Sequence, residues 1–467
     1  SIRVIVTTGN NSQEDELKCL SLGAVDFITK PYNALIVKSR IDSVIKLRES
    51  SMTLAAIEKD ELTGLYTRQA FYHHARTYTH FMTEEKFNVV ILDVSDFKLI
   101  NGTYGTKKGN EVLVYLSNAF RYYVKNGLLT RYEGDQLLGL FHSKVKMDVE
   151  RINRNINKIA EEAPIPNIRI KVGIYEDVDT NLSIPVICDR ALMAEKSISK
   201  DFKTNVAFYT DEMNQKQLVQ RQMENDFKSA IVNREFKVYY QPKYDVNTEN
   251  IVGAEALVRW QKPDGTLISP GAFIPLFESD GLVVHLDEYV FENVCQFQKE
   301  RMENKLPMVP ISVNLSRVSI LFNDVVEHYV DIVNQKQIPF ECVPIELTES
   351  ATLYSEKILE ITDQLVKAGF ELHMDDFGSG YSSLTSLNEL NFSTVKLDKS
   401  LIDYIDQVRG KKIVQQAIDL GHGLDMKVVA EGVESKEQRD CLKEMHCDMI
   451  QGFYYSKPLK QEDFIEK

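Results

Sequence analysis

Between residues 226 and 467 the sequence repeats one pattern: a short apolar run, then a gap long enough for a helix. The runs fall at 237–241, 251–258, 309–314, 343–348, 371–375, 394–397, 427–431 and 448–453. Strands that alternate with helices in this way predict a TIM-like (β/α)8 barrel. One gap departs from the pattern. Residues 242–250 (PKYDVNTEN) are too few for a parallel crossover, which needs a dozen or more residues, so the first two strands should be antiparallel.

The upstream half reads differently. Residues 2–8 (IRVIVTT) suggest a buried strand, 12–22 a helix, and 24–29 a second strand ending at Lys30-Pro31, with helix resuming near residue 33. From Leu35 to Ile57, apolar residues such as Ile41, Val44, Ile45 and Leu54 predict a helix with one apolar face. It is either a dimerising signalling helix or the last helix of the first unit packed on its own sheet. DELTGLYTRQAF opens a further unit at Asp60, FNVVILDVSDFKLIN gives a buried strand ending near Asp93, and TRYEGDQLLGLF reads as a hairpin turning near Glu133-Gly134. The expected organisation is an α/β multidomain chain: a partial domain at 1–48, a linker helix at 49–59, a second domain at 60–210, a polar connector at 211–225, and the barrel at 226–467.

A formal net charge of -14 argues against a grip on nucleic-acid polymers, which usually needs a basic face to displace counterions. No stretch of about 18 consecutive apolar residues and no export-signal pattern occurs, so neither membrane spanning nor export is expected. The six cysteines are scattered without a CxxC pair, which fits a reducing cytoplasm.

Active sites of such barrels form at the C-terminal strand ends. Glu255 lies on the second strand, Asn314 ends the third, Glu346 is on the fourth, Asp375-Asp376 end the fifth, Lys396 is on the sixth, Glu431 ends the seventh and Gln451 lies on the eighth. Carboxylates converging from so many strands would repel one another unless cations held them. The donors are hard oxygens, and the nine histidines form no HxxxH cluster, so Mg²⁺ or Mn²⁺ suits the set better than Zn²⁺. Two ions about 3.5–4 Å apart, sharing Asp375, would activate water against a phosphodiester.

The barrel sequence resembles the EAL family of cyclic di-GMP phosphodiesterases along its length. The naming motif is Glu255-Ala256-Leu257, continuing to Arg259. YYQP at 239–242, VNLS at 313–316, ELTES at 346–350, DDFGSGYSSL at 375–384, VKLDKS at 395–400, VAEGVES at 429–435 and QGFYYSKP at 451–458 follow in order. The resemblance implies hydrolysis of cyclic di-GMP to linear pGpG. It implies one metal on Glu255, Asn314, Glu346 and Asp375, and a second on Asp375, Asp376 and Glu431. Lys396 would stand beside the nucleophilic water, with Glu255 and Glu431 completing the catalytic set. Gln241 and Arg259 would contact substrate, and Gln451 would support the metal water. Arg259 could instead pair with a carboxylate, and Gln451 could be a satisfied core amide. Glu349, Gly378 and Gly380 match the loop that links metal occupancy to dimerisation, so a homodimer is the expected assembly. An alternative is a non-catalytic effector that binds cyclic di-GMP and relays it to a partner; such effectors usually lack metal ligands or the lysine, all of which are retained here.

Residues 60–210 resemble the GGDEF family of diguanylate cyclases, a nucleotide-cyclase-like fold, with departures. The name motif reads Glu133-Gly134-Asp135-Gln136-Leu137. Asp93 and Asp135 could still hold metal, and Asn101 matches the guanine-reading asparagine. Gly102 replaces an aspartate, Thr106 a histidine and Asn110 the second guanine-reading carboxylate, while Val124–Gly127 stands in place of the inhibitory RxxD motif. The resemblance thus implies a non-catalytic domain, either a GTP sensor or a spacer. Residues 1–48 resemble the second half of a flavodoxin-like response-regulator receiver, without the half that carries the phosphoacceptor.

Overall fold

The structure, a computed structural model, describes residues 4–8, 24, 26–81, 86–142, 147–198, 204–322, 324–352, 356–379, 387 and 389–467, without the side chains of 8, 27, 29, 47–57, 350 and 352. The helix expected at 12–22 lies outside the described residues. Two compact units result, Ser1–Gln217 and Leu218–Lys467.

In the first unit, Ile5–Thr8 and Asp26–Thr29 pair in parallel, Ile5 beside Asp26. A single helix, Ala34–Glu58, runs through the expected 48/49 boundary. The sequence reading gave this helix one apolar face. The structure corrects that: its apolar residues are spread around the axis, and Leu35, Ile36, Ile41 and Ile45 are exposed while Val37 and Val44 are half-buried. Leu35 and Ile36 lie too far round the helix from Val37 and Val44 to share their stripe, and Ile41, which is on that side, is exposed all the same.

The following sheet has the order Leu128–Glu133, Gln136–His142, Phe87–Val94, Ile170–Tyr175, Val206–Phe208. Phe87–Val94 is central and antiparallel to both neighbours. Its successive side chains go to opposite faces: Val90, Leu92 and Val94 join Leu116 and Ile156, whereas Phe87, Val89 and Ile91 join Phe71 and Ala191. Helices cover both faces, so this strand reads as an unbroken apolar run and not as an alternation.

The second unit is a closed ring of eight strands: β1 (Phe236–Asp245), β2 (Ile251–Gln261), β3 (Ile311–Asn314), β4 (Ile345–Thr348), β5 (Leu372–Phe377), β6 (Thr394–Leu397), β7 (Lys427–Ala430) and β8 (Met449–Ile450). β2 to β8 run parallel in chain order, with helices such as Val283–Glu303 and Val408–Gly423 filling the crossovers. β1 closes the ring antiparallel to both β2 and β8; it runs past the expected 237–241 to Asp245, so only 246–250 connect it to β2, still too few residues for a crossover. Phe227, Phe236, Trp260, Phe273 and Phe277 pack in ring contact outside this seam. Each fully buried ring contributes about 2 kcal/mol by removing its apolar surface from water.

β8 is shorter than its apolar run suggests. Gln451 follows its last residue, and Gly452 lies against the backbone of Val433: a Cβ there would stand 2.1 Å from the Val433 carbonyl oxygen. Only glycine permits that approach. Gly452→Ala should therefore lower stability by roughly 3 kcal/mol, near the upper end of overpacking costs, read as a reduced denaturation midpoint at unchanged m-value.

Candidate active site

The inward face of the barrel is unusually polar because alternate residues of each parallel strand point to one layer. Glu255, Glu346, Asp375 and Lys396 all reach that layer and are buried. Lys396 Nζ lies 2.7 Å from Glu346, 2.8 Å from Glu431, 2.9 Å from Asp375 and 3.2 Å from Glu255. Four carboxylates thus converge on one ammonium. A second buried cation, Lys243, donates to Glu346 at 2.7 Å and to the Ser312 hydroxyl at 2.8 Å. Glu255 also accepts from Asn314 at 2.8 Å and from Gln451 at 2.6 Å.

Burial alone would lower the Lys396 pKa, but Asp375, Glu255, Glu346 and Glu431 overcome it and hold the ammonium well above its ordinary value. Burial would likewise raise Glu346, yet Lys243 and Lys396 hold it well below the carboxylate range. The others are less compensated. Burial pushes Glu255 and Asp375 up, and Glu431 up to about 8, against the opposing pull of Lys396. Two ammonium groups do not neutralise five carboxylates once Asp376 is counted.

Two oxygen sets meet the geometry of a cation site: Glu255, Glu346 and Asp375, and then Asp375, Asp376 and Glu431, each with ligand atoms within 4.8 Å of one another. Asp375 belongs to both. Asp376 adopts a left-handed backbone (φ 57°) and its N–H donates to Asp375 Oδ1 at 3.0 Å, so the irregularity near the end of β5, between Met374 and Phe377, brings successive carboxylates to one site. The donor set, all carboxylate apart from the nearby Asn314 amide, fits a hard divalent ion.

A cavity of about 630 Å³ opens beside these groups, lined on its polar side by Arg259, Arg317, Asn314, Asp375 and Asp376. Arg259 is half-buried, which lowers its pKa, and donates to the Val258 carbonyl at 2.8 Å; it makes no carboxylate ion pair among the described residues. Gln241 donates to the Ser456 carbonyl at 3.4 Å and accepts from Gln451 at 3.3 Å. The Gln451 Oε1 is buried without a partner among the described residues, so this amide is not fully satisfied there. Gly378 N–H donates to Glu349 at 3.4 Å. Its φ of +93° and a Cβ position 2.6 Å from Leu401 leave room for glycine alone. Gly380 lies outside the described residues.

Sequence reasoning missed three neighbours. Lys243 shares the inward alternation of Gln241 two residues on, and that period was the available signal. His373, two residues before Asp375 on β5, approaches Glu346 at 3.5 Å. Asp287, from the helix after β2, accepts the Ser316 N–H at 2.9 Å and the Ser319 hydroxyl at 2.7 Å, fixing the turn after Asn314; burial pushes its carboxyl up to about 6. No spacing rule links it to that turn.

In the first unit, Asp93 sits on the central strand opposite Lys171. Asp135 lies in the hairpin turn between Glu133 and Gln136, next to Gly134. Glu133 is largely exposed, 3.8 Å from Arg68. Asn101 is on the helix Phe97–Tyr104 and Asn110 on Thr106–Tyr123; the Asn101 Oδ1 is buried and unpartnered. A buried Glu195, unanticipated from the sequence, faces Lys171 at 4.0 Å, and burial followed by the charge of Asp93 pushes it up to about 7. The same two causes raise Asp135.

A barrel with a carboxylate–lysine cluster at its strand ends, preceded by a nucleotide-cyclase-like sheet, defines the class. The chain belongs to the EAL domain family, whose model matches residues 224–458, half of its length. The diguanylate cyclase GGDEF domain model matches residues 57–198, so both domains are present. Among curated proteins it is similar to the signaling protein YkoW of Bacillus subtilis, 29% identical over 424 residues that cover 87% of this chain and 52% of that protein. It is also similar to the bifunctional diguanylate cyclase/cyclic di-GMP phosphodiesterase MucR of Pseudomonas aeruginosa, 28% identical over 394 residues, covering 82% of this chain and 57% of MucR. The chain thus spans about half the length of these relatives. A solved structure of the PaMucR phosphodiesterase with c-di-GMP is 32% identical, with a TM-score of 0.50, covering 52% of this chain and 99% of that one.

The Lys243–Glu346 pair yields a pH-dependent expectation. The folded pKa of Glu346 is depressed, so its pairing stabilises the fold above the unfolded value near ~4.3 and is lost as pH falls through the folded one. With divalent ions chelated, Lys243→Met should cost about 3 kcal/mol at pH 7, because it leaves a buried carboxylate short of its partner. The deficit should shrink as the pH falls below the unfolded value, because the parent chain then loses the stability that the paired, depressed Glu346 contributes. Urea titrations at pH 7 and pH 4 check this.

Proposed function

We propose that the chain is a cyclic di-GMP phosphodiesterase acting at the barrel mouth and yielding linear pGpG. The observation that carries this reading is Asp375 shared between two carboxylate sets, with the Lys396 ammonium among them and a cavity bearing Arg259 alongside. The presence of c-di-GMP in the PaMucR phosphodiesterase complex supports the substrate class.

Glu255, Asn314, Glu346 and Asp375 would hold one divalent ion, and Asp375, Asp376 and Glu431 a second. Mg²⁺ or Mn²⁺ there would polarise the phosphodiester and ease deprotonation of water. The chain's own residues do the rest. Arg259 offers its planar guanidinium to a phosphate, and Gln241 and Gln451 orient groups beside Glu255. Lys396, held as an ammonium, would turn an N–H from one of its carboxylates to the attacking water once cations take up those carboxylates, and so align it; in that state it is not a base. The water oxygen forms the new P–O bond, the P–O3′ bond breaks, and the proton that the water gives up is balanced by the one that the departing 3′ oxygen takes up. Retention of every carboxylate and of the lysine favours turnover over a binding-only role.

For the GGDEF-like domain we favour a non-catalytic role in which GTP is bound and sensed. The buried, unpartnered Asn101 Oδ1 supports it, because that acceptor suits guanine's N–H donors. Gln136 for an acidic group and Glu133 at the turn argue against cyclase chemistry. The parallel pair Ile5–Thr8 and Asp26–Thr29 followed by a helix is consistent with half a receiver domain.

Incubation of the full chain with cyclic di-GMP and Mg²⁺, followed by nucleotide separation, should yield pGpG; chelation should stop it. Glu255→Ala should abolish turnover with the fold retained by circular dichroism. Lys396→Ala should lower kcat by about two orders of magnitude or more with much less change in substrate affinity. A normal kcat with weakened binding would make Lys396 a phosphate contact. With hydrolysis blocked by Glu255→Ala, GTP and Mg²⁺ should give no cyclic di-GMP, whereas GTP should stimulate hydrolysis by the parent chain.

A further inference from the structure

β1 is laddered to β2 along its length, but its other edge is covered only in part. β8 pairs with Tyr244 and Asp245, and Tyr240 exchanges two main-chain hydrogen bonds of 2.8 Å with Leu459. Antiparallel ladders turn the polar groups of alternate residues to the same edge. Lys237, Tyr239 and Gln241 pair with Arg259, Leu257 and Glu255 toward β2, so Val238 shares the outward direction of Tyr240. The carbonyl of Phe236, next on that edge, accepts the Tyr289 hydroxyl at 3.1 Å. The N–H and C=O of Val238 face a cavity of about 510 Å³ and have no hydrogen-bond partner on that edge among the described residues.

Three cations line the same cavity: Arg234, Lys237 and Lys460, all exposed, with Glu462 the carboxylate facing them. None of the three forms an ion pair among the described residues, although the chain carries a formal net charge of -14. Arg234 also holds a left-handed backbone (φ 54°), a conformation that residues with a side chain rarely adopt. An open strand edge beside uncompensated cations is a template for a strand that brings its own carboxylates.

We propose that this edge binds an acidic segment of another polypeptide in extended conformation. Its main chain pairs with Val238 as an added strand, and its carboxylates meet Arg234, Lys237 and Lys460. An inorganic anion would engage the cations and leave the edge unused. The Tyr240–Leu459 bridge limits pairing to residues 236–239 and so to a short segment.

The probe is the blocked peptide acetyl-Asp-Thr-Glu-Val-Glu-Thr-amide, with its Lys-for-acid counterpart and inorganic phosphate as comparisons, all presented to the full chain. The acidic peptide should bind, by anisotropy of a labelled form, and slow deuterium exchange of the Val238 amide at least tenfold. The basic peptide should do neither. Lys237→Glu with Lys460→Glu should weaken binding tenfold or more at an unchanged melting temperature. N-methylation of alternate probe residues, which removes strand pairing without altering the protein, should do the same. Equal binding of the basic peptide, full binding of the N-methylated probe, or complete displacement by millimolar phosphate would overturn the proposal, the last by reducing the cavity to a simple anion site.

Discussion

One interaction organises the barrel: a single buried ammonium, Lys396, within hydrogen-bonding distance of Glu255, Glu346, Asp375 and Glu431. Like charges about 4 Å apart repel by about 4 kcal/mol at the effective dielectric of such sites, so four converging carboxylates could not be tolerated without it. Lys243 supplies the second cation, and Asn314 and Gln451 add hydrogen bonds to Glu255. The compensation is incomplete. An excess of carboxylate over ammonium, gathered where Asp375 is common to two oxygen sets, is the condition under which divalent ions bind strongly.

The fold creates that condition through three local devices. The short turn at 246–250 makes β1 antiparallel to β2, which sets Gln241 opposite Glu255 and carries Lys243 inward. The left-handed Asp376 breaks the regular register near the end of β5 so that adjacent carboxylates serve one site. The tight contact of Gly452 with Val433 ends β8 early and directs the Gln451 amide to Glu255. Each device makes a locally costly choice that the surrounding packing holds in place.

The two acidic sites of the chain contrast. In the barrel, carboxylates meet within a few ångströms and lysines answer them. In the GGDEF domain, Asp93, Asp135 and Glu195 influence one another without forming a compact ligand set among the described residues, and Lys171 stands beside them. A protein cation in that neighbourhood lessens the demand for a metal ion, which supports the non-catalytic role proposed for this domain.

Much of this was legible before any coordinates. Apolar runs at barrel spacing, one gap too short for a crossover, and acidic residues at strand ends depend on period and length, which a linear sequence displays directly. The order of the strands, the antiparallel first pair and the residues Glu255, Asn314, Glu346, Asp375, Lys396 and Glu431 were all named from it. The Leu35–Ile57 helix was misjudged because apolar content says nothing about which side finds a neighbour. Lys243, His373, Asp287 and Glu195 were missed for a related reason: each acquires its role from a partner tens of residues away. Whether the Lys396 amine is an ammonium, whether Glu346 is ionised, and which edge of β1 stays open are decided by distances across the closed barrel. Those distances exist only once tertiary structure has brought remote charges into a medium that water does not screen.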